Sequence, residues 1–180
     1  PKAADISEDD IMDNDDEWKW CSLTYEQLLA HSDEAGLVVR EKPLKYNDGR
    51  IKGNRIAIRQ NIETQKEKAC VLAEELGHHY TSSGNILDQT KVENVKQEQR
   101  ARMWAYNKQI GLYGIINAYK RGCRNIHEMA EYLDVTEEFL QDALNAYRMK
   151  YGQYVIVNNY TIYFEPYLLV ADFSFCNIRE

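Results

Sequence analysis

Residues 64–80 read TQKEKACVLAEELGHHY, and they decide the fold. Thr64 with Glu67 three residues on is a capping-box pattern, and the polar TSSGN at 81–85 ends the run. On a wheel of about 100° per residue, Ala69, Leu72, Ala73, Leu76 and Tyr80 share one apolar side, which predicts a core position for Tyr80. Cys70, Glu74 and His78 form an i, i+4, i+8 line on another side, with Glu75 and Val71 beside them. A solvated surface would carry more lysine and arginine there. This helix therefore has one face for packing and one for chemistry.

The flanking sequence supplies the rest of the fold. TYEQLLAHSDEAG at 24–36 is a helix with Thr24 and Gln27 as its capping box; Leu28, Leu29 and Ala35 face inward, and Gly36 ends it in a left-handed conformation. LVVRE at 37–41 reads as a strand, NDGR at 47–50 as a turn, and RIAIRQ at 55–60 as a half-buried strand by its alternation. Downstream, 93–110 is a helix whose inner face is Ala101, Trp104, Ala105 and Ile110. Three more helical pieces follow, at 112–122, 125–134 and 136–152. YVIVNNYTIYFEP at 154–166 has a period of two around Asn158-Asn159, a hairpin signal. LLVADFSF at 168–175 adds a last extended piece. The class is α+β, with a small mixed sheet, four to six helices and a C-terminal β-hairpin.

Charge divides the chain further. Residues 1–17 carry eight carboxylates against Lys2, a net −7 equal to that of all 180 residues. Residues 1–20 are thus an acidic, flexible tail. The remainder falls into a core at 21–125, a helical segment at 126–150 and the hairpin region at 151–180. A neutral body disfavours bulk attraction to DNA or anionic lipid. No apolar run approaches the roughly 20 residues of a membrane span, and the first residues lack a secretory pattern. Cys21, Cys70, Cys123 and Cys176 have no CxxC-type spacing, so they read as reduced thiols of a cytoplasmic protein.

The chemistry lies at Glu74-Glu75-Leu76-Gly77-His78. This is the HExxH spacing with glutamate in the first histidine position. Side chains at i and i+4 stand one turn apart and can reach one ion. The glutamate at i+1, Glu75, is placed to act as general base toward a water on that ion. Gly77 permits close approach of another backbone. A zinc site needs a third protein ligand. Glu98 is the best candidate, because Ala101 and Ala105 at one and two turns further let its helix pack tightly. Asp88 and Glu93 are weaker candidates. His31, His79 and His127 lack ligand spacing.

LAEELGHHYTSSG at 72–84, followed by EQRARMWAY at 98–106, resembles the ImmA/IrrE family of metallopeptidases, in particular its phage- and mobile-element-borne branch. The resemblance covers about residues 22–170. It implies a zincin-like fold around the ExxxH helix. It also implies a metal-dependent endopeptidase that cleaves or inactivates a helix-turn-helix transcriptional repressor. By position, Glu74, His78 and Glu98 become the metal ligands and Glu75 the general base. Glu74 departs from the histidine of the pattern. Two carboxylates on one Zn²⁺ weaken it as a Lewis acid and tilt the site toward Mn²⁺ or Fe²⁺. The alternative is a pseudo-protease that regulates by binding a repressor or another phage-related protein without cutting it.

MAEYLDVTEEFLQDAL at 129–144 is helix-turn-helix-like, with Thr136 capping the second helix and Ala130 and Leu133 packing the first. A DNA-reading helix should carry basic and amide side chains. This one carries Glu137, Glu138 and Asp142, so it is a packing module or a protein-contact surface. Direct DNA binding is not expected, despite the small cluster Lys120, Arg121 and Arg124. RIAIRQ is the expected edge strand for an extended protein substrate.

Overall fold

The computed structural model describes residues 22–81 and 91–173. The acidic tail, Cys21, Asp88, Cys176 and most of TSSGN lie outside these residues, as does the side chain of Glu93.

Helix α1 (Tyr25–Glu34) starts at the expected box. The Thr24 hydroxyl accepts from the Gln27 amide, and the Gln27 side chain accepts from the Thr24 amide. Gly36 follows at φ +72°. Ala35 departs from expectation. It is exposed, because it sits past the last turn, where the core contact passes to Leu28 and Leu37.

Three strands follow: β1 (Val38–Lys42), β2 (Gly49–Lys52) and β3 (Arg55–Arg59). Their order is β1-β3-β2, with β1 parallel and β2 antiparallel to β3. Two expectations are corrected here. Gly49 and Arg50 belong to strand β2, so the NDGR turn does not extend through residue 50; the β2–β3 reversal lies at Gly53-Asn54. RIAIRQ is the central strand rather than an edge. Ile56 and Ile58 are buried, and both ladder sides of β3 are paired. The free edge beside the chemistry belongs to β2.

The helix α2 (Gln65–Thr81) begins at Thr64, whose hydroxyl accepts from the Glu67 amide. Leu72, Ala73 and Leu76 are fully buried. Lys68 is also buried and donates to Glu41 of β1 at 2.8 Å, tying helix to sheet. The second face of α2 proves to be covered as well. Cys70 is buried at 5% exposure, and burial raises its thiol to about 11 despite contacts with Thr136 that oppose the shift. Tyr80 is 43% exposed rather than core. It stacks on Trp104 with centroids 4.9 Å apart and hydrogen-bonds His31 Nε2 at 3.2 Å.

Helices α3 (Lys91–Gln109), α4 (Gly111–Arg121), α5 (Ile126–Tyr132) and α6 (Glu137–Tyr151) complete the helical part. The α5–α6 turn packs as expected for the helix-turn-helix-like segment. Ala130, Leu133 and Val135 are buried, and Thr136 accepts from the Phe139 amide. Strands β4 (Tyr154–Val157), β5 (Tyr160–Tyr163) and β6 (Leu169–Asp172) form a separate antiparallel meander. Asn158, at φ +52°, supplies the left-handed residue of the β4–β5 turn. The architecture is α+β and zincin-like: a small mixed sheet over α2, a helical layer, and a second three-stranded sheet at the C-terminal end. Among the described residues no helix is long and apolar enough to cross a membrane.

Candidate functional site

Glycine brings α2 and α3 together. A Cβ on Gly77 would lie 2.2 Å from the Ala101 carbonyl oxygen, so the two backbones touch where any side chain would intervene. Ala101 and Ala105 are fully buried in this contact layer, as their spacing predicts. One position on, His78 Nε2 stands 3.3 Å from Glu98 Oε2. Two donors each about 2.0–2.1 Å from a tetrahedral zinc stand about 3.3–3.4 Å apart. The pair therefore fits the edge of a coordination tetrahedron.

Glu75 is held from the side of the sheet. A Cβ on Gly49 of β2 would fall 2.5 Å from Glu75 Oε1 and 2.7 Å from its Cγ. Glycine at that strand position makes room for the carboxylate. Burial raises the Glu75 carboxyl to about 7, Glu74 and Glu98 add to the rise, and the Ile51 amide opposes it. Glu74 is also raised, chiefly by burial, with Arg102 acting against the shift and Glu98 with it. So two half-buried acids and Glu98 crowd one corner, and a proton is readily retained there.

Glu74, the remaining expected ligand, is not gathered with the others. Among the described residues, no group of three or more histidine, cysteine or acidic side chains is close enough to hold an ion. Arg102 was not foreseen. Its Nε donates to Glu98 Oε1 at 2.8 Å, one turn along α3. Burial works against its charge, but Glu98 and Glu74 hold it more firmly protonated than an ordinary arginine. The spacing Glu98-x-x-x-Arg102 was a visible i, i+4 ion-pair signal. What it could not show is that the pair faces α2.

A cleft of about 500 Å³ opens beside His78 and Glu98, bounded by Ile51 and Lys52 of β2, His79, and Asn94 and Gln97 of α3. His79 stands edge-on to Tyr80, with centroids 5.0 Å apart, and also borders the cleft. A second cavity, of about 590 Å³, lies between α4–α6 and the C-terminal sheet. Its lining includes Arg124 and Arg148 but no carboxylate or imidazole, so the acid–base chemistry belongs to the first cleft.

The family model described as Peptidase_M78, IrrE N-terminal-like domain, matches residues 32–145. The match takes in the β1–β3 sheet, both site helices and most of the α5–α6 segment. No curated protein matches the chain.

Proposed function

The chain belongs to this IrrE N-terminal-like metallopeptidase family, and on that premise we propose that it is a metal-dependent endopeptidase acting on a protein target. The target we favour is a cytoplasmic helix-turn-helix repressor, whose cleavage or inactivation would release phage or mobile-element genes. The observation that carries the reading is the meeting of His78 and Glu98 across the helix pair, at tetrahedral-edge distance, beside a glutamate poised near neutrality.

His78 and Glu98 would hold the ion, with Glu74 as the third donor one turn back on α2. Zinc fits the imidazole; manganese or iron suits the two carboxylates. The bound ion would supply Lewis acidity and make an attacking water more acidic. Glu75 does the proton work. Burial favours its protonated form, so it can take a proton from a nucleophile and return it to a leaving amine. The free edge of β2 can pair with an extended target backbone, which places a peptide bond over the α2 face. Lys52 and Gln97 offer polar contacts to its side chains.

Co-expression of the chain with repressors encoded beside it tests this. Wild type should shorten one of them at a single bond, and Glu75→Gln should leave it intact while keeping the circular-dichroism spectrum unchanged. Full biological activity of Glu75→Gln would falsify proteolysis.

One observation favours a second reading, a non-catalytic regulator that binds its target. Glu98 is already engaged by Arg102, and among the described residues three donors are not gathered. In that case the repressor would be recovered uncut in a stable complex, and purified protein would carry no divalent ion.

A further inference from the structure

The α2–α3 contact runs in opposite chain directions, so facing residues step one turn at a time. His78 meets Glu98, and Gly77 meets Ala101. One turn back on α2, Glu74 comes opposite Arg102, one turn on along α3, and Arg102 is the cation that acts on Glu74. The two oxygens of Glu98 are divided: Oε1 accepts from Arg102 and Oε2 faces His78. Glu98 acts as a like charge on both Glu74 and Glu75, and the three carboxylates call for a compensating positive charge. The guanidinium provides one from within the chain.

We propose that Arg102 competes with the metal ion for Glu98 and Glu74, so that the site is charge-balanced when empty and exchanges an internal cation for an external one on loading. The proposal rests on reading Glu74, His78 and Glu98 as the ligands. Three features support it. The planar guanidinium is matched to a carboxylate edge and cannot lose its charge. Its bond to Glu98 occupies one of the two lone-pair edges that an ion would use. Arg102 also acts on Glu74, one turn back on α2, as the opposing positive charge. The side chains of Arg102 and Glu98 are 46% and 44% exposed. Water therefore screens the pair, and the competition is modest rather than absolute.

The test is zinc affinity of the full chain, measured by competition with a chromogenic chelator. Arg102→Gln should bind zinc about tenfold more tightly than wild type, equivalent to about 1.4 kcal/mol. Arg102→Lys keeps the charge and should fall between them. In chelator, Arg102→Gln should melt below wild type, because the carboxylates then repel without relief; saturating zinc should raise its melting point by more than it raises that of wild type. Equal or weaker zinc binding by Arg102→Gln, with wild type binding normally, overturns the proposal and leaves the metal reading standing. If neither wild type nor the variants bind zinc, manganese or ferrous iron, both fall. Should Arg102→Gln not fold, the Arg102→Lys affinity decides alone.

Discussion

Glu75 touches both halves of the site, with its carboxylate against Gly49 of the sheet and its backbone in α2. Its raised carboxyl has a consequence for stability. The protonated form is favoured in the folded chain, whereas the unfolded chain titrates near the ordinary 4.5. The stability this lends is complete below about 4.5 and is lost as pH rises toward about 7. Urea unfolding in chelator should therefore show falling stability across that window, and Glu75→Gln should flatten the fall. A wild-type profile that is level between those values would contradict it. Much at this scale could be read from the sequence. Helical spacing alone put Glu74, Glu75 and His78 on one surface, and small-residue spacing pointed to Glu98. Arg102 and Tyr80 were not legible, because a helical wheel says which residues share a face and not what lies across from them. The aromatic ring of Tyr80 found Trp104 and His31 near the surface instead of the core.

At the scale of elements, the α2–α3 pair depends on the absence of a side chain at Gly77. Gly77→Ala places a methyl carbon 2.2 Å from a main-chain oxygen, which cannot rotate away. The helices must separate, and overpacking of this kind costs about 1–3 kcal/mol. We expect a lower melting temperature and weaker metal binding from one substitution, checked by calorimetry and chelator competition. At the far end of α3, Gln109 is 1% exposed, and among the described residues its side-chain nitrogen and oxygen have no hydrogen-bond partner. Gln109→Met fills the same space without unsatisfied polar atoms. It should stabilise by about 1 kcal/mol, since a buried unpaired amide costs about that much or more. A fall in melting temperature would show that the amide is serving another group. The start of strand β2 was obscured in the sequence because Gly49 and Arg50 follow Asn47 and Asp48, a combination that signals a turn. Which strand lies in the middle is a matter of pairing at long range, and alternation in RIAIRQ is equally consistent with either place.

Over the whole molecule, the family match ends at residue 145, and the C-terminal sheet lies beyond it. That sheet was legible locally, through Asn158-Asn159 and the period of two on either side. Its core is continuous with the helices: Ile162 and Val155 are buried in the same cluster as Leu140 and Tyr147. Ile162→Ala should therefore cost about 2–5 kcal/mol, the range for emptying a packed position. It should do so in one cooperative transition shared with α2, which tryptophan fluorescence and far-UV circular dichroism would report together. An ion held between α2 and α3 would act on the same transition. At a hundred times its dissociation constant it would add about 2.7 kcal/mol.

The open rim of β2 beside the cleft sets a condition on whatever enters. Its main-chain groups offer a ladder to any backbone laid along them, whatever the order of its side chains. A folded helical domain cannot present such a backbone. A visitor must arrive already unwound over several residues, in a hinge or a frayed terminus. If the proposed protein target docks there, the gate on selectivity would lie in how readily the visitor comes apart, and a tightly folded neighbour would pass untouched even at high concentration.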